Sequence, residues 1–134
     1  MAAQKVLLVD NEDDFRFMLR AYLRVRGGTE VVAEASDGSA AIALARDLRP
    51  DLIILDHRME PLDGEAALPF LREVATAAGI VVYSAYVPDD GSAHRLIDLG
   101  ADAVVDKSAD LGGMEVALRR ASRRWISRPG SSVR

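Results

Sequence analysis

Five residues at four separated points of this 134-residue chain have the chemistry of a polar binding crevice: Asp10 with Asn11, Asp56, Ser84 and Lys107. Each follows a short apolar run, VLLV before Asp10, LIIL before Asp56, IVVY before Ser84 and AVV before Asp106 and Lys107. An unbroken run of branched apolar residues reads as a strand buried on both faces, and the carboxyl end of such a strand is where open α/β sheets bind ligands. Asp56, between the LIIL run and a polar loop, is the focus of the set. An enzyme working on a small molecule by acid–base chemistry would want a second carboxylate beside it, and His57 and Arg58 stand there instead. His57 should point away from Asp56 if strand alternation persists, so a solvated or core-edge role is expected of it and of His94. The two histidines lack the spacing of a paired zinc site.

The elements that must position these groups follow from periodicity and punctuation. Strands are expected at Lys5–Val9, Glu30–Ala35, Leu52–Leu55, Ile80–Tyr83 and Ala103–Val105. Phe15, Met18, Leu19, Tyr22 and Leu23 recur at helical spacing and stop at Gly27-Gly28. Asp37, Gly38 and Ser39 open a second helix whose inner face carries Ala41, Leu44, Ala45 and Leu48, and Pro50 closes it. Asp63 is the expected N-cap of a third helix packing through Ala67, Leu71, Val74 and Ala75, with Gly79 at its end. A short fourth helix runs through Ala93, Leu96 and Ile97 to Gly100. The last shows Met114, Ala117, Leu118, Ala121 and Trp125 on one side, with Pro129-Gly130 at its outer limit. Strands and helices that alternate in this way predict an α/β sandwich, one parallel sheet covered on both faces. One domain is expected over residues 1–126, with an Arg, Ser, Gly and Pro tail at 127–134.

Composition narrows the function classes. The absence of cysteine removes disulfide frameworks and thiolate zinc sites and suits a reducing, cytoplasmic setting. No stretch approaches the ~20 apolar residues of a membrane span. A net charge of -4 argues against the broad basic surface of a nucleic-acid binder. From Arg119 to Arg134 every charged side chain is an arginine, which reads as a helix's outer face and a tail.

Taken together, VLLVDNED, RPDLIILDHRM with a following DG, YSAY and LGADAVVDK, in this order, resemble the receiver domain of bacterial two-component response regulators, of the chemotaxis type. The resemblance runs from Lys5 to Trp125. It implies a flavodoxin-like (βα)5 fold with a five-stranded parallel sheet in the order 2-1-3-4-5 and the ligand at the switch point. It also implies that Asp56 is the phosphoacceptor, taking a phosphoryl group from the phosphohistidine of a sensor histidine kinase, from a phosphotransfer protein or from a small phosphodonor. Magnesium would be the cofactor, held by Asn11, Asp56, the backbone carbonyl of Arg58 and, through water, Asp10. Lys107 would pair with the phosphoryl group and the Ser84 hydroxyl would hydrogen-bond one of its oxygens. The output would be altered contact with another protein or a second copy, the latter through the last two helices and the fifth strand. Catalysis on an external substrate, direct nucleic-acid binding and membrane association are not expected. With no effector segment after the last helix, a stand-alone receiver is favoured over a piece of a longer regulator.

Several positions depart from the family pattern. Asn11 replaces a carboxylate with a neutral amide oxygen, which predicts weaker magnesium binding, with Glu12 an adjacent acid that could substitute. Met59 is followed by Glu60 and only then by Pro61, and Lys107 by Ser108 where a proline is common. Val104 stands where many receivers carry an aromatic ring that changes rotamer, so a signal would have to run through Ser84, the loop after it and the helix from Ser92 to Leu99. Tyr86 is the nearest aromatic to Ser84. Arg58 and Tyr86 fill the two positions that tune water's access to the acyl phosphate, and their bulk predicts slow hydrolysis.

Overall fold

Leu52–Asp56 forms the middle strand of a five-stranded parallel sheet, and all five of its residues are buried. The computed structural model describes residues 3–57, 63–84, 91–106 and 111–127. In chain order the elements are β1 Gln4–Val9, α1 Asp13–Arg26, β2 Thr29–Ala35, α2 Gly38–Leu48 and β3 Leu52–Asp56. They continue as α3 Gly64–Val74, β4 Gly79–Ser84, α4 Ser92–Leu99, β5 Ala103–Asp106 and α5 Leu111–Ser127. The strand order is β2-β1-β3-β4-β5, the order the family resemblance implies, and every neighbouring pair is parallel, as the alternation of elements predicts.

Strand alternation sorts the apolar residues into two cores. Leu7, Val9, Ile53, Leu55, Ile80 and Val82 face α2, α3 and α4, meeting Ala41, Ala45, Ala67, Leu68, Leu71 and Leu96. Val6, Leu8, Leu52, Ile54, Val81 and Tyr83 face α1 and α5, meeting Leu19, Leu23, Met114, Ala117, Leu118 and Ala121. Switching faces at the sheet's centre leaves a crevice at the carboxyl ends of β1 and β3.

The Asp37 and Asp63 caps form as expected, each carboxylate accepting the N–H three residues on, from Ala40 at 3.0 Å and Ala66 at 2.8 Å. The expected end of α3 is corrected. The helix stops at Val74, and Gly79 opens β4. The reason is Arg72, whose guanidinium donates to the carbonyls of Ala75 and Ala78 and so satisfies the chain after the helix without a terminal glycine. Gly79 is needed elsewhere, since a Cβ there would lie 2.4 Å from the Ala121 carbonyl of α5. Met18, Leu48 and Ile97, placed on inner helix faces by periodicity, are exposed at the margins of stripes narrower than the spacing implied. The Trp125 side chain lies outside the described residues.

Candidate functional site

The parallel register sets Val9 beside Leu55 and Asp56 beside Tyr83, so the residues leaving β1 and β3 emerge at one level. Asp10 is fully buried and Asp56 is 3% exposed, while Glu12 is exposed. Ligand oxygens of these three carboxylates lie within 4.8 Å of one another. Gathering like charges in a partly buried site is unfavourable unless positive charge or hydrogen bonds offset it. Two donors to Asp10 are in place: Glu12 N–H on Oδ1 at 2.8 Å and the Tyr83 hydroxyl on Oδ2 at 2.7 Å. Burial, the Asp10 charge and that hydrogen bond push the Tyr83 phenol far above its ordinary range, so it stays protonated and donates. Its ring stacks on Phe15 with centroids 5.0 Å apart, which ties the acidic cluster to α1. Arg16 adds positive charge at the rim, donating to the Asp10 carbonyl and to Glu34 at 2.9 Å.

The hydroxyl side of the crevice is built by β4 and the two helices after β3. Ser84 is buried at the end of β4. His57, 6% exposed, is not solvated; it occupies the core edge, and its Nδ1 lies 3.3 Å from Ser84 Oγ. Its Nε2 meets Glu65 Oε1 at 2.9 Å, and Arg95 of α4 pairs with the same carboxylate at 3.1 Å. Hydrogen bonds from Arg95 first and His57 second hold the Glu65 carboxyl below the usual range. The backbone reinforces this corner: the His57 carbonyl accepts from Gly64 N–H at 3.0 Å, and a Cβ on Gly64 would fall 1.9 Å from the Asp56 carbonyl. Only glycine lets the start of α3 approach the end of β3 so closely.

Of the residues singled out from sequence, the structure brings Asp10, Asp56 and Ser84 to one sheet edge. Asn11 is exposed beside them, and His94 is exposed on α4. Val104 is half-buried beside Val82 and packs on the core shared with α2, α3 and α4. Arg58, Met59, Glu60, Pro61, Tyr86, Lys107 and Ser108 lie outside the described residues. Sequence reasoning missed Tyr83, Glu65 and Arg95 as site neighbours. Tyr83 carried a signal in being a phenol at a position otherwise reserved for aliphatic residues.

The donor set fits a small hard cation. Three carboxylates can supply oxygen ligands, and magnesium takes about six at short range, several of them waters. No nitrogen or sulfur ligand joins them among the described residues.

A family model described as "Response regulator receiver domain" matches residues 6–119. The chain belongs to the response regulator receiver family. As a receiver domain it is a phosphoacceptor module rather than an enzyme turning over an external substrate, and its acidic cluster is consistent with that role in a phosphorelay. The response regulator protein VraR of Staphylococcus aureus is 32% identical over 119 residues, 89% of this chain and 56% of VraR. The chain thus spans little more than half the length of the curated relatives it matches. A LuxR-family two-component response regulator from Aurantimonas sp. SI85-9A1 superposes with a TM-score of 0.81 at 28% identity, over 88% of this chain and 84% of that one. The signal receiver domain of the putative response regulator NarL from Mycobacterium tuberculosis gives a TM-score of 0.81 at 25% identity, over 91% of this chain and 98% of that one. Among the described residues no helix is long and apolar enough to cross a membrane.

Proposed function

We propose that this receiver is a phosphorylation switch in which Asp56 takes a phosphoryl group with magnesium bound beside it. The carrying observation is the buried Asp56 carboxylate, grouped within 4.8 Å with Asp10 and Glu12 at the carboxyl edge of the sheet. In the transfer an Asp56 oxygen forms a bond to phosphorus in line with the bond that breaks, either the P–N bond of a kinase or phosphotransfer-protein phosphohistidine or the P–O bond of a small acyl phosphate. Asp10, Glu12 and Asp56, with the amide oxygen of Asn11 and the Arg58 carbonyl, would hold the cation, which when bound would offset charge on the transferring oxygens. Lys107 pairs with the phosphoryl group and Ser84 donates its hydroxyl to one phosphoryl oxygen. Arg58 and Tyr86 shield the product from water. The consequence is a change in contacts with an output protein or with a second copy through α4, β5 and α5.

Incubation with magnesium and acetyl phosphate, read by intact mass, should add one phosphoryl group to the wild type and none to Asp56→Ala. An unmodified wild type that also gives no spectral response to magnesium and beryllofluoride would instead identify a receiver-like interaction module.

A further inference from the structure

His57 is unused by the phosphoacceptor reading, yet it bridges that site's hydroxyl to a different helix. Its ring lies between Ser84 Oγ, 3.3 Å from Nδ1, and Glu65 Oε1, 2.9 Å from Nε2. Arg95 of α4 then grips both Glu65 oxygens, Nη2 at 3.1 Å and Nε at 3.3 Å. The roles along this row follow from the inventory of donors. Glu65, held ionised by its partners, only accepts, so the nitrogen facing it, Nε2, carries a hydrogen. In the neutral imidazole Nδ1 is then an acceptor, and the Ser84 O–H donates to it. A serine has one hydroxyl proton, and ionised phosphoryl oxygens are acceptors as well. The imidazole and an incoming phosphoryl group therefore compete for the same proton.

We propose that His57 is a positioning residue: it holds the Ser84 hydroxyl while Asp56 is unmodified and, when the phosphoryl group draws that hydroxyl away, passes the change through Glu65 to Arg95 on α4. The inference rests on the phosphoacceptor reading above. The ring is well placed for a relay because its own backbone is pinned, the His57 N–H to the Tyr83 carbonyl at 2.8 Å and the His57 carbonyl to Gly64 N–H at 3.0 Å. Loss of one side-chain partner then falls on the ring and Glu65 rather than on the chain. Glu65 lies in the first turn of α3 and Arg95 within α4, so the row joins two helices across the switch serine.

Two substitutions separate its links, because a glutamine amide nitrogen reaches where Nε2 lies and an asparagine oxygen where Nδ1 lies. With magnesium and beryllofluoride titrated into the full chain and followed by NMR, the Arg95 Nε–H resonance of the wild type should move as the adduct forms. In His57→Gln the Glu65 link is kept and the Ser84 link lost. The adduct should then bind about two- to fivefold more tightly, the worth of one long hydrogen bond, while the Arg95 resonance stays put. In His57→Asn the Ser84 link is kept, so no tightening is expected and Arg95 again stays put. Arg95 movement equal to wild type in both variants, or unchanged affinity in His57→Gln, overturns the relay alone. Absence of any adduct on the wild type overturns the phosphoacceptor reading and the relay with it. Nitrogen-15 shifts of the His57 ring in the unmodified wild type give a measurement independent of any variant's folding: hydrogen on Nε2 supports the row, and hydrogen on Nδ1 overturns it.

Discussion

The two ends of the sheet both hold buried or half-buried aspartates, and they treat them in opposite ways. At the amino ends of the strands, Asp51 accepts the Lys5 N–H at 2.8 Å and Asp102 accepts the Ile80 N–H at 2.8 Å. Arg72 completes that end, giving Asp102 a partner at 2.9 Å and donating to the Gly100 carbonyl at 2.7 Å. At the carboxyl ends, Asp10, Glu12 and Asp56 converge on one another instead. Backbone polarity explains the contrast. Parallel strands end in outward N–H groups on one side and outward carbonyls on the other, so an acid finds backbone donors of the strands only at the amino end. A carboxylate at the amino end therefore stabilises the fold, whereas a cluster at the carboxyl end is held at some expense to stability and is suited to a cation.

The sharpest way to break this comparison is at Arg72. Replacing it with alanine strips Asp102 of its charge partner and uncovers the carbonyls after α3, and should cost about 2–4 kcal/mol in urea denaturation. A loss under about 0.5 kcal/mol would mean the amino end is not held as described. A smaller effect comes from another place where arginine holds an acid, between α1 and α5. Glu115 accepts from Arg26 at 2.6 Å and Tyr22 at 2.8 Å, and the Arg26 hydrogen bond leads in lowering its pKa from 4.5 to about 2. Because the folded value is the lower one, this stabilisation is complete above pH 4.5 and drains away as pH falls through about 2. Its size is on the order of 2 kcal/mol after solvent screening, and Glu115→Gln should flatten the acid limb of a stability–pH profile by that amount.

At the carboxyl end the sign reverses. Asp56→Ala without magnesium should leave stability unchanged or raise it, by on the order of 1 kcal/mol, since it relieves like-charge crowding. A clear loss in the same denaturation experiment would contradict the comparison. The smallest expected change is at Asn11, where Asn11→Asp adds a charged ligand and should tighten magnesium binding several-fold by titration; equal affinities would remove Asn11 from the ligand set.

Much of this was legible in the chain. LIIL before Asp56 and VLLV before Asp10 fix both a buried parallel sheet and the edge at which those acids emerge, and Asp37 and Asp63 cap the helices expected of them. What escaped depends on contacts distant in sequence. Arg72 satisfies the Ala75 and Ala78 carbonyls after α3 while its guanidinium is held by Gly100 and Asp102, 28 and 30 residues away, an arrangement that no local stop signal encodes. For His57 the sequence leaves a solvated and a core-edge role open, because alternation says which way a side chain points but not what meets it there; Ser84 lies 27 positions on and Glu65 eight. Glu12 is legible as an acid that could stand in for Asn11, whereas the turn after β1 that brings it into the acidic cluster is a geometry that strand and helix periods do not describe.

The most direct measurement is thermal unfolding of wild type and Asp56→Ala with and without saturating magnesium. Binding to the folded state alone raises Tm by mass action. A cation site made by Asp10, Glu12 and Asp56 predicts a magnesium-dependent rise in the wild type that is largely lost in Asp56→Ala, while the metal-free variant is at least as stable as the wild type. An equal magnesium response in both proteins would contradict it.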